Sequence, residues 1–521
     1  MLLFVLLLFI QEGYWMLKGC EKNGFDIDEI FTYGLSNAYQ QPFIEVPKGE
    51  WISGTRFADY LSVGNHAHEY LNVYENQIAD VHPPLYYLCM HAICSVFRNA
   101  GFTKWTGIVL NMVSLAVAQT ALFMLGCLLL TNRRTGGENS EGSIGYARWE
   151  ALIPVLFYGF GAGATSNVIF IRMYAMMTMW VTLLALVLVV MWQRGQTLGY
   201  MRMLTAVLIL GFLTQYYFVI ISCFLCAGYF FARLNKRQGK AAAQFAGRCL
   251  CALMLAVGLF PWCLKHIFSG YRGVEAFERA AGVHFADMTR WYHILFDILS
   301  AQQFGGHLAV LLILGAVFAV FPSGRLRRWN AWTGDSRGMA LLALAGCMGY
   351  MAVIAVISPY KVDRYIFCIY PLMVLAVFLL LRRGGLCLSG RETVAGIMAF
   401  AILGISGFPA GHTNYLFTGE QQYVDICEAH SDMPCIVLGD NDMTLNILEL
   451  AAFKDICVLD KDDADMVVTA LKELEQYDWK AGFVLFERYP DDAVVEELVR
   501  KTGMQSIQTL YTHQYRVFLL R

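Results

Sequence analysis

The chain has 521 residues, of which 57% are apolar and only 15% are charged. Soluble domains carry about 25% charged residues, so the composition excludes an ordinary water-soluble enzyme and indicates a protein of the lipid bilayer. The formal net charge is −2, and we predict no nucleic-acid partner.

Apolar runs that approach the length of a membrane span recur along the first 410 residues. They cover residues 108–130, 173–190, 250–264, 308–321, 339–357, 366–381 and 393–405. About 20 apolar residues cross the hydrocarbon core as a helix, and only helices satisfy their backbone polar groups within one segment there. We therefore predict a polytopic α-helical membrane protein with about ten to twelve spans.

The first apolar run, residues 1–10, is short for a span, and it lacks the basic start of a signal peptide. Either this helix continues through Gln11 and Glu12 to about Leu17, or the natural start of the protein lies upstream. We favour the upstream start.

Basic residues are concentrated in short connectors between the apolar runs. These connectors are at 133–134, 233–240, 325–328 and 382–391. The positive-inside rule makes them cytoplasmic, so the loop 21–82, the loop at about 269–303 and the C-terminal tail fall on the external face. If the spans alternate between the two sides in this way, the apolar stretch 85–97 cannot be a full span and must be re-entrant or interfacial. The sequence does not decide between these two possibilities.

Two apolar runs are interrupted by polar residues. Residues 151–160 are followed by the interruption 161–167 before Arg172 opens the next run, and residues 204–213 end at Thr214. Irregular polar backbone at membrane depth is tolerated where it lines a cavity. We therefore predict broken helices whose interruptions both lie on the external side.

The tail differs from the rest of the chain. Residues 412–521 hold 20 acidic and 9 basic residues, a net charge of −11, whereas residues 1–411 carry +9. Strands are predicted at 435–438, 456–459, 483–486, 506–512 and 515–519, with helices at 443–453, 465–476 and 492–502. This alternation predicts a small extracytoplasmic α/β domain with a largely parallel sheet at 411–521, after a transmembrane domain at 1–410.

Acidic residues gather beside the membrane. The sequence FDIDEIF at 25–31 places Asp28 and Glu29 just past the first apolar run, and the sequence DVHPPL, with Asp80 and His82, leads back into the membrane. Grouped ionisable residues at a membrane often mark a functional site. A carboxylate can also take the proton of an acceptor hydroxyl.

These motifs together resemble those of GT-C glycosyltransferases of the protein O-mannosyltransferase type (glycosyltransferase family 39-like), a clan that includes the lipid A aminoarabinose transferases and many bacterial relatives. The sequence RMYA at 172–175 and the sequence DRY at 363–365 resemble further family features. The resemblance covers about residues 1–410. The loop 269–305 is too short for the MIR repeats of the eukaryotic enzymes, which argues against a protein acceptor.

The resemblance implies transfer of a sugar, with inversion, from a polyprenyl-phosphate donor to an unknown acceptor (a glycan, lipid or protein) on the external face of the plasma membrane. It implies a catalytic role for Asp28 and Glu29, and we predict Asp28 as the base. Asp80 and His82 are predicted to bind substrate and shape the acceptor site. His82 could instead cap the helix that follows it.

Cations stabilise a phosphate group whose negative charge grows as it leaves, and the planar guanidinium group of arginine can donate two hydrogen bonds to phosphate oxygens at once. We therefore predict that Arg172 and Arg364 bind the donor phosphate, with Lys361 as a further candidate. Interfacial anchoring is the alternative role for each of these arginines. The sequence establishes no cofactor, although a divalent cation between the carboxylates and the phosphate would be chemically compatible.

A transporter or flippase of lipid-linked sugars is the alternative function, because broken helices and intramembrane glycines suit one as well. A non-catalytic membrane assembly factor that docks through its tail is a third hypothesis. The clustering of acids in one external loop and the lack of an internal sequence repeat favour the enzyme.

Overall fold

The computed structural model describes residues 1–130, 149–320, 334–381, 412–439, 443–460, 464–474, 479–488 and 492–521. The chain forms two compact units. The helical unit contains Met1–Cys20, Asp80–Tyr86 and Gly107–Asn414, and the sheet unit contains Glu21–Ala79, Tyr87–Thr106 and Tyr415–Arg521. Residues Glu21–Ala79 of the loop 21–82 therefore belong to the same unit as the tail, whereas the predicted boundary at 410/411 grouped them with the spans.

Helices, most of them apolar, make up the helical unit. They are Leu2–Glu21, Lys104–Leu130, Leu152–Gly159, Ala162–Ile169, Tyr174–Arg194, Leu198–Thr214, Tyr217–Asn235, Gly239–Leu259, Cys263–Phe268, Tyr271–Gly282, Phe285–Phe304, Leu308–Val320, Gly334–Ile357 and Tyr370–Leu381. Two short 3₁₀ turns, Asp363–Tyr365 and Phe367–Ile369, precede the last of these helices.

In the described part of the chain, six helices are long and apolar enough to cross a membrane, or eight if each of two bent pairs forms one span. Three shorter apolar helices are Leu85–Val96, Leu198–Thr214 and Phe367–Leu381. The predicted polytopic helical class is thus confirmed. The count of ten to twelve stays a prediction, because several predicted features lie outside the described residues: the run 393–405 and the connectors 133–134, 325–328 and 382–391.

Both predicted interruptions are present. Leu152–Gly159 and Ala162–Ile169 meet at an angle of 59°, and Leu198–Thr214 ends two residues before the next helix begins. The second bent pair joins Phe285–Phe304 to the following apolar helix at 90°. The predicted loop at about 269–303 is therefore largely helical.

The first helix runs without a break through Gln11 and Glu12. The Gln11 amide donates a hydrogen bond to the Val155 carbonyl at 3.1 Å, and the Trp15 indole donates one to the Gly159 carbonyl at 3.0 Å. Trp15 thus satisfies a carbonyl group at the bend of the broken helix, which an apolar side chain would leave unpaired, and Gln11 adds a hydrogen bond one turn earlier.

A six-stranded sheet forms the centre of the sheet unit, in the order β1-β3-β2-β4-β6-β5. The strands are β1 (Trp51–Ile52), β2 (Cys435–Leu438), β3 (Ile456–Leu459), β4 (Phe483–Glu487), β5 (Ile507–Thr512) and β6 (Arg516–Leu520). The helices are Ile27–Asn37, Thr55–Leu61, Tyr70–Ala79, Gln421–Glu428, Ile447–Leu450, Ala464–Glu473 and Asp492–Thr502. The predicted α/β tail is confirmed.

The prediction of a largely parallel sheet is wrong. Only β2 pairs in parallel, with β3 and β4, whereas the β1–β3, β4–β6 and β5–β6 pairs are antiparallel. The three residues between β5 and β6 are too few for a parallel crossover. Strand β1 comes from the loop 21–82, so the tail sequence alone could not show it.

Four consecutive helices of the helical unit give a test of topology. Tyr174–Arg194 and the three helices that follow alternate in direction, because hydrogen bonds join Trp180 to Thr214 at one end and Arg233 to Met191 at the other. On a background cleared of native cysteines, we expect cysteines at Thr197 and Gln238 to react with an impermeant maleimide from one side of the membrane. A cysteine at Ser269 should react only from the opposite side, and same-side labelling would contradict the alternation.

Candidate active site

The acidic motif forms the start of helix Ile27–Asn37 in the sheet unit. The Asp26 carboxylate accepts a hydrogen bond from the Asp28 N–H at 2.9 Å, and the Glu29 carboxylate accepts one from the Asp26 N–H at 2.8 Å. This reciprocal capping box fixes the first turn of the helix. Asp28 lies in that turn and is half-buried.

Lys22 provides the buried positive charge at this motif. Its ammonium donates to the Glu29 carboxylate at 2.9 Å and to the Tyr415 carbonyl at 2.7 Å, and both charged side chains are 0% exposed. The rings of Phe25 and Phe417 lie 5.0 and 5.2 Å from the ammonium. Burial lowers the pKa of Lys22, although the Glu29 carboxylate opposes that shift. The Glu29 carboxylate therefore stabilises the first turn of the helix through its contacts with Lys22 and the Asp26 N–H.

The segment 415–418 runs beside Lys22 in an unusual backbone conformation. Tyr415 and Phe417 have φ angles of 67° and 47°, in the left-handed region that costs a bulky residue about 1–3 kcal/mol. Asn23 makes two hydrogen bonds to carbonyl groups of this segment, at 2.9 and 3.1 Å. The contacts with Lys22 and Asn23 therefore stabilise a conformation that the segment would not adopt alone.

We expect Lys22→Met to destabilise the sheet unit by roughly 3–5 kcal/mol, because it leaves the Glu29 carboxylate buried without its cation. The double variant Lys22→Met/Glu29→Gln removes both charges and keeps the acceptor for the Asp26 N–H. It should recover most of the loss. Thermal unfolding of the purified protein in neutral detergent measures both, and a double variant as unstable as the single one would refute this role.

Asp80, His82 and Arg172 form a line of polar contacts in the helical unit. His82 Nδ1 lies 2.8 Å from the Asp80 carboxylate, and His82 Nε2 lies 3.4 Å from Arg172 Nη2. His82 therefore lies between a carboxylate and a guanidinium group, with one ring nitrogen toward each. Burial by itself raises the pKa of Asp80, but His82 and Arg172 outweigh it and hold that pKa below its usual range.

Arg172 lies where the broken helix ends, and its side chain is buried. Its N–H donates to the Phe170 carbonyl at 2.8 Å. The Asn111 amide donates to the carbonyls of Val168 and Phe170 at 3.0 and 2.8 Å. Asn111 therefore pairs carbonyl groups that the helix end leaves without an intrahelical partner, and this fixes the backbone that carries Arg172.

Asp363 anchors the turn that carries Arg364. Its buried carboxylate accepts hydrogen bonds from the Gln302 and Asn414 amides, both at 2.7 Å, and from the Arg364 N–H at 2.8 Å. The three donors fix the orientation of the turn. Gln302 and Asn414 were not predicted from the sequence, since a single amide side chain carries no signal of its tertiary partner.

The Arg364 guanidinium lies over two aromatic rings, 5.3 Å from the centre of Phe170 and 5.5 Å from that of Tyr365. Cations are attracted to ring faces in this way. Phe170 precedes Arg172 by two residues, so the two arginines predicted from the sequence lie on neighbouring segments of the same unit.

Further cations lie near Arg364. The Tyr217 ring packs edge to face on Tyr365, with ring centres 5.6 Å apart, and the charges of Arg272, Arg279 and Arg364 all influence its hydroxyl. Arg279 also donates to the carbonyl of Ile357, in the segment that leads to Arg364, at 3.4 Å. Glu275 forms ion pairs with Arg272, at 3.2 Å, and with Arg279. Arg272 and Arg279 belong to helix Tyr271–Gly282, which has no buried residue.

Lys361 completes this group, which we call the basic cluster: Arg272, Arg279, Lys361 and Arg364. The Lys361 ammonium donates to the Ser358 carbonyl at 2.6 Å and lies 4.5 Å from the Trp291 ring. Burial and the nearby charge of Arg279 lower the pKa of Lys361 to about 8. The Lys361 ammonium therefore loses its charge at mildly alkaline pH.

The predicted site residues thus fall into two sets. Asp80, His82, Arg172, Lys361 and Arg364 belong to the helical unit, and Asp28 and Glu29 belong to the sheet unit. Lys22 was missed, because a lysine at the end of an apolar helix usually extends to the interface. Within the described residues, no group of three or more His, Cys, Asp or Glu side chains could hold a metal ion.

Comparison with known proteins shows the fold. No model of a known protein family matches the sequence, and no curated protein matches it. The structure is similar to that of ArnT from Cupriavidus metallidurans bound to undecaprenyl phosphate, with a TM-score of 0.53, 12% identity, and 100% of this chain and 97% of ArnT covered. The GT-C fold predicted from the sequence is thereby confirmed.

A second solved structure, the Archaeoglobus fulgidus oligosaccharyltransferase, aligns with 78% of this chain and 59% of its own length. Its TM-score of 0.38 and identity of 10% are too low for an argument about this chain.

Proposed function

We propose that this chain, which has the fold of ArnT, is a membrane glycosyltransferase. It moves a sugar from a polyprenyl-phosphate donor to a hydroxyl of a cell-surface acceptor, with inversion, on the external face of the plasma membrane. The basic cluster is the observation that carries the proposal. Three arginines and a lysine near aromatic side chains, two of the arginines paired with Glu275, suit a phosphate group that gains charge as it leaves.

The donor phosphate is assigned to Arg364 and Arg172, with Lys361 contributing. Arg364 is fixed through its neighbour Asp363, and Arg172 is fixed by the paired carbonyls of the broken helix. Preorganised cations stabilise the transition state without having to reorient during the reaction. The undecaprenyl phosphate bound to ArnT supports the same class of lipid for this chain.

The chemical step that we propose is a single inverting displacement. The acceptor oxygen attacks the anomeric carbon, and the bond from that carbon to the phosphate oxygen breaks. The bonding electron pair leaves with polyprenyl phosphate, and Asp28 takes the acceptor proton. Glu29 keeps the helix start in place through Lys22. Asp80 and His82, fixed to each other and to Arg172, shape the binding site.

Turnover by the reconstituted protein tests the function directly. Supplied with a polyprenyl-phosphate sugar and an extract of surface glycans and glycolipids, an enzyme releases free polyprenyl phosphate and glycosylates an acceptor. A flippase would move labelled donor across the vesicle membrane without cleaving it. Transport with the donor intact would therefore replace the enzyme proposal with the alternative.

Asp28→Asn should lower turnover by about 10² or more, because it keeps the shape of the side chain and removes the base. Asp59→Asn is the matched control, since Asp59 is an exposed acid in the same external loop. It should leave turnover unchanged. Near-normal turnover of the Asp28 variant would remove Asp28 from the mechanism, whatever the result for Asp59.

Arg364→Lys and Arg172→Lys should each raise the donor KM and lower kcat, so that kcat/KM of each variant falls by about tenfold or more. Each change keeps the charge but loses the paired hydrogen bonds of the guanidinium fork. Arg202→Lys, at an exposed position, serves as control and should behave as the parent. If both site variants bound and used the donor normally, the phosphate would have to bind elsewhere.

The lowered pKa of Lys361 predicts a pH effect. Below about pH 8 the ammonium is charged and attracts the phosphate, and above it the charge is lost. We expect the donor KM to rise about fivefold as the pH passes from 7 to 9, equivalent to ~1 kcal/mol. Lys361→Arg should give a KM that stays flat over this range, because arginine remains charged. If the donor KM of the Lys361→Arg variant still rose between pH 7 and 9 as it does in the parent, the assignment would be refuted.

A further inference from the structure

A long part of the helical unit lacks negative charge entirely. Residues 151–274 contain ten Lys and Arg residues and no Asp or Glu. Two turns, at 195–197 and 236–238, connect the alternating helices of this part at one end. Four exposed cations lie in or beside these turns: Arg194, Lys236, Arg237 and Lys240. We call them the basic end.

Arg233 holds the two turns together. This guanidinium is 8% exposed and makes three hydrogen bonds: to the Tyr229 hydroxyl at 3.0 Å, the Gln238 amide oxygen at 2.7 Å and the Met191 carbonyl at 2.8 Å. Its partners are all neutral, so its positive charge is not cancelled by these contacts. Arg233 therefore has a structural task and adds to the positive potential of the basic end.

Trp192 lies between two cations. The centre of its ring is 4.7 Å from the Arg233 guanidinium and 4.1 Å from the Lys236 ammonium. Gln196 donates from the first turn to the Tyr229 hydroxyl at 3.1 Å. An aromatic ring with cations at the end of an apolar helix is typical of the boundary between hydrocarbon and headgroups.

An apolar groove of about 420 Å³ begins beside this boundary. Its lining includes Met1, Phe123, Met124, Leu128 and Val190, together with the charged side chain of Arg194. A free phosphate or a soluble anion would make no use of such a groove. A lipid would, because its acyl chain is apolar and its phosphate could reach Arg194.

The basic end is far from the basic cluster. Helix Tyr174–Arg194 begins beside Arg172 and ends at Arg194, and its 21 residues rise ~30 Å, about the thickness of the hydrocarbon core. Arg172 and Arg194 therefore belong to opposite interfaces of the bilayer, and a ligand of the basic end is not the sugar donor of the candidate site.

We propose that the basic end binds an anionic phospholipid of the leaflet opposite the candidate site. Its phosphate pairs with Arg194, Lys236 and Arg237, and one acyl chain lies in the groove. The inference rests on the charge pattern and the groove, and it holds whether or not the chain is a glycosyltransferase. Each cation near an anionic membrane surface contributes roughly fivefold to affinity.

The test uses full-length purified protein in nanodiscs that contain phosphatidylglycerol and phosphatidylcholine in equal amounts, with retained lipid counted by native mass spectrometry. We expect the parent protein to retain phosphatidylglycerol in clear preference. Arg194→Gln/Lys236→Gln/Arg237→Gln should lose that preference, by roughly hundredfold in affinity. The charge-preserving variant Arg194→Lys/Lys236→Arg/Arg237→Lys should keep most of it.

A matched control removes three charges elsewhere. Lys472→Gln/Lys480→Gln/Arg500→Gln, all at exposed positions of the sheet unit, should retain phosphatidylglycerol as the parent does. Thermal unfolding in neutral detergent shows whether each variant is folded. Equal retention of both lipids by the parent, or unchanged preference in the glutamine variant of the basic end, overturns the proposal. Displacement of the lipid by millimolar glycerol phosphate would also overturn it, because the cations alone would then explain binding of the headgroup and the groove would have no part in it.

Discussion

A helix that breaks at membrane depth leaves backbone carbonyl groups without partners, and the helical unit is organised around satisfying them. Gln11 and Trp15 of the first helix donate to the carbonyls of Val155 and Gly159, and Gln303 donates to that of Phe157. Asn111 donates to two carbonyls after the bend. An unpaired carbonyl in hydrocarbon would cost several kcal/mol, so polar side chains within apolar helices are a requirement of this fold.

Polar contacts also hold the backbone that carries the two arginines of the candidate phosphate site. Arg172 follows the satisfied bend directly, and Arg364 follows Asp363, whose carboxylate accepts three hydrogen bonds. A guanidinium group on a fixed backbone loses less entropy when it binds an anion. The polar residues that support the two arginines therefore matter to binding even though they are assigned no contact with the donor.

In the sheet unit, a single buried ion pair has the comparable role. Lys22 connects Glu29, in the acidic motif, with the carbonyl of Tyr415, which begins the tail. A buried charge without its partner is strongly destabilising, so the acidic motif and the start of the tail must fold together. This coupling gives the tail a structural function, because its first residues contribute to the surroundings of the helix that carries Asp28.

The sequence by itself determined the membrane class, the positions of the broken helices and most strands of the tail, because these follow from local hydrophobic pattern and length. It also indicated Asp28, Asp80, His82, Arg172 and Arg364 through motifs of short range. Only the tertiary structure decided the partners of Glu29 and Asp363, the place of β1 beside β3 and the grouping of Lys361 with Arg279. Each of these joins residues far apart in the chain, and a pairing of that kind depends on how the helices and strands pack, which no local pattern of residues records.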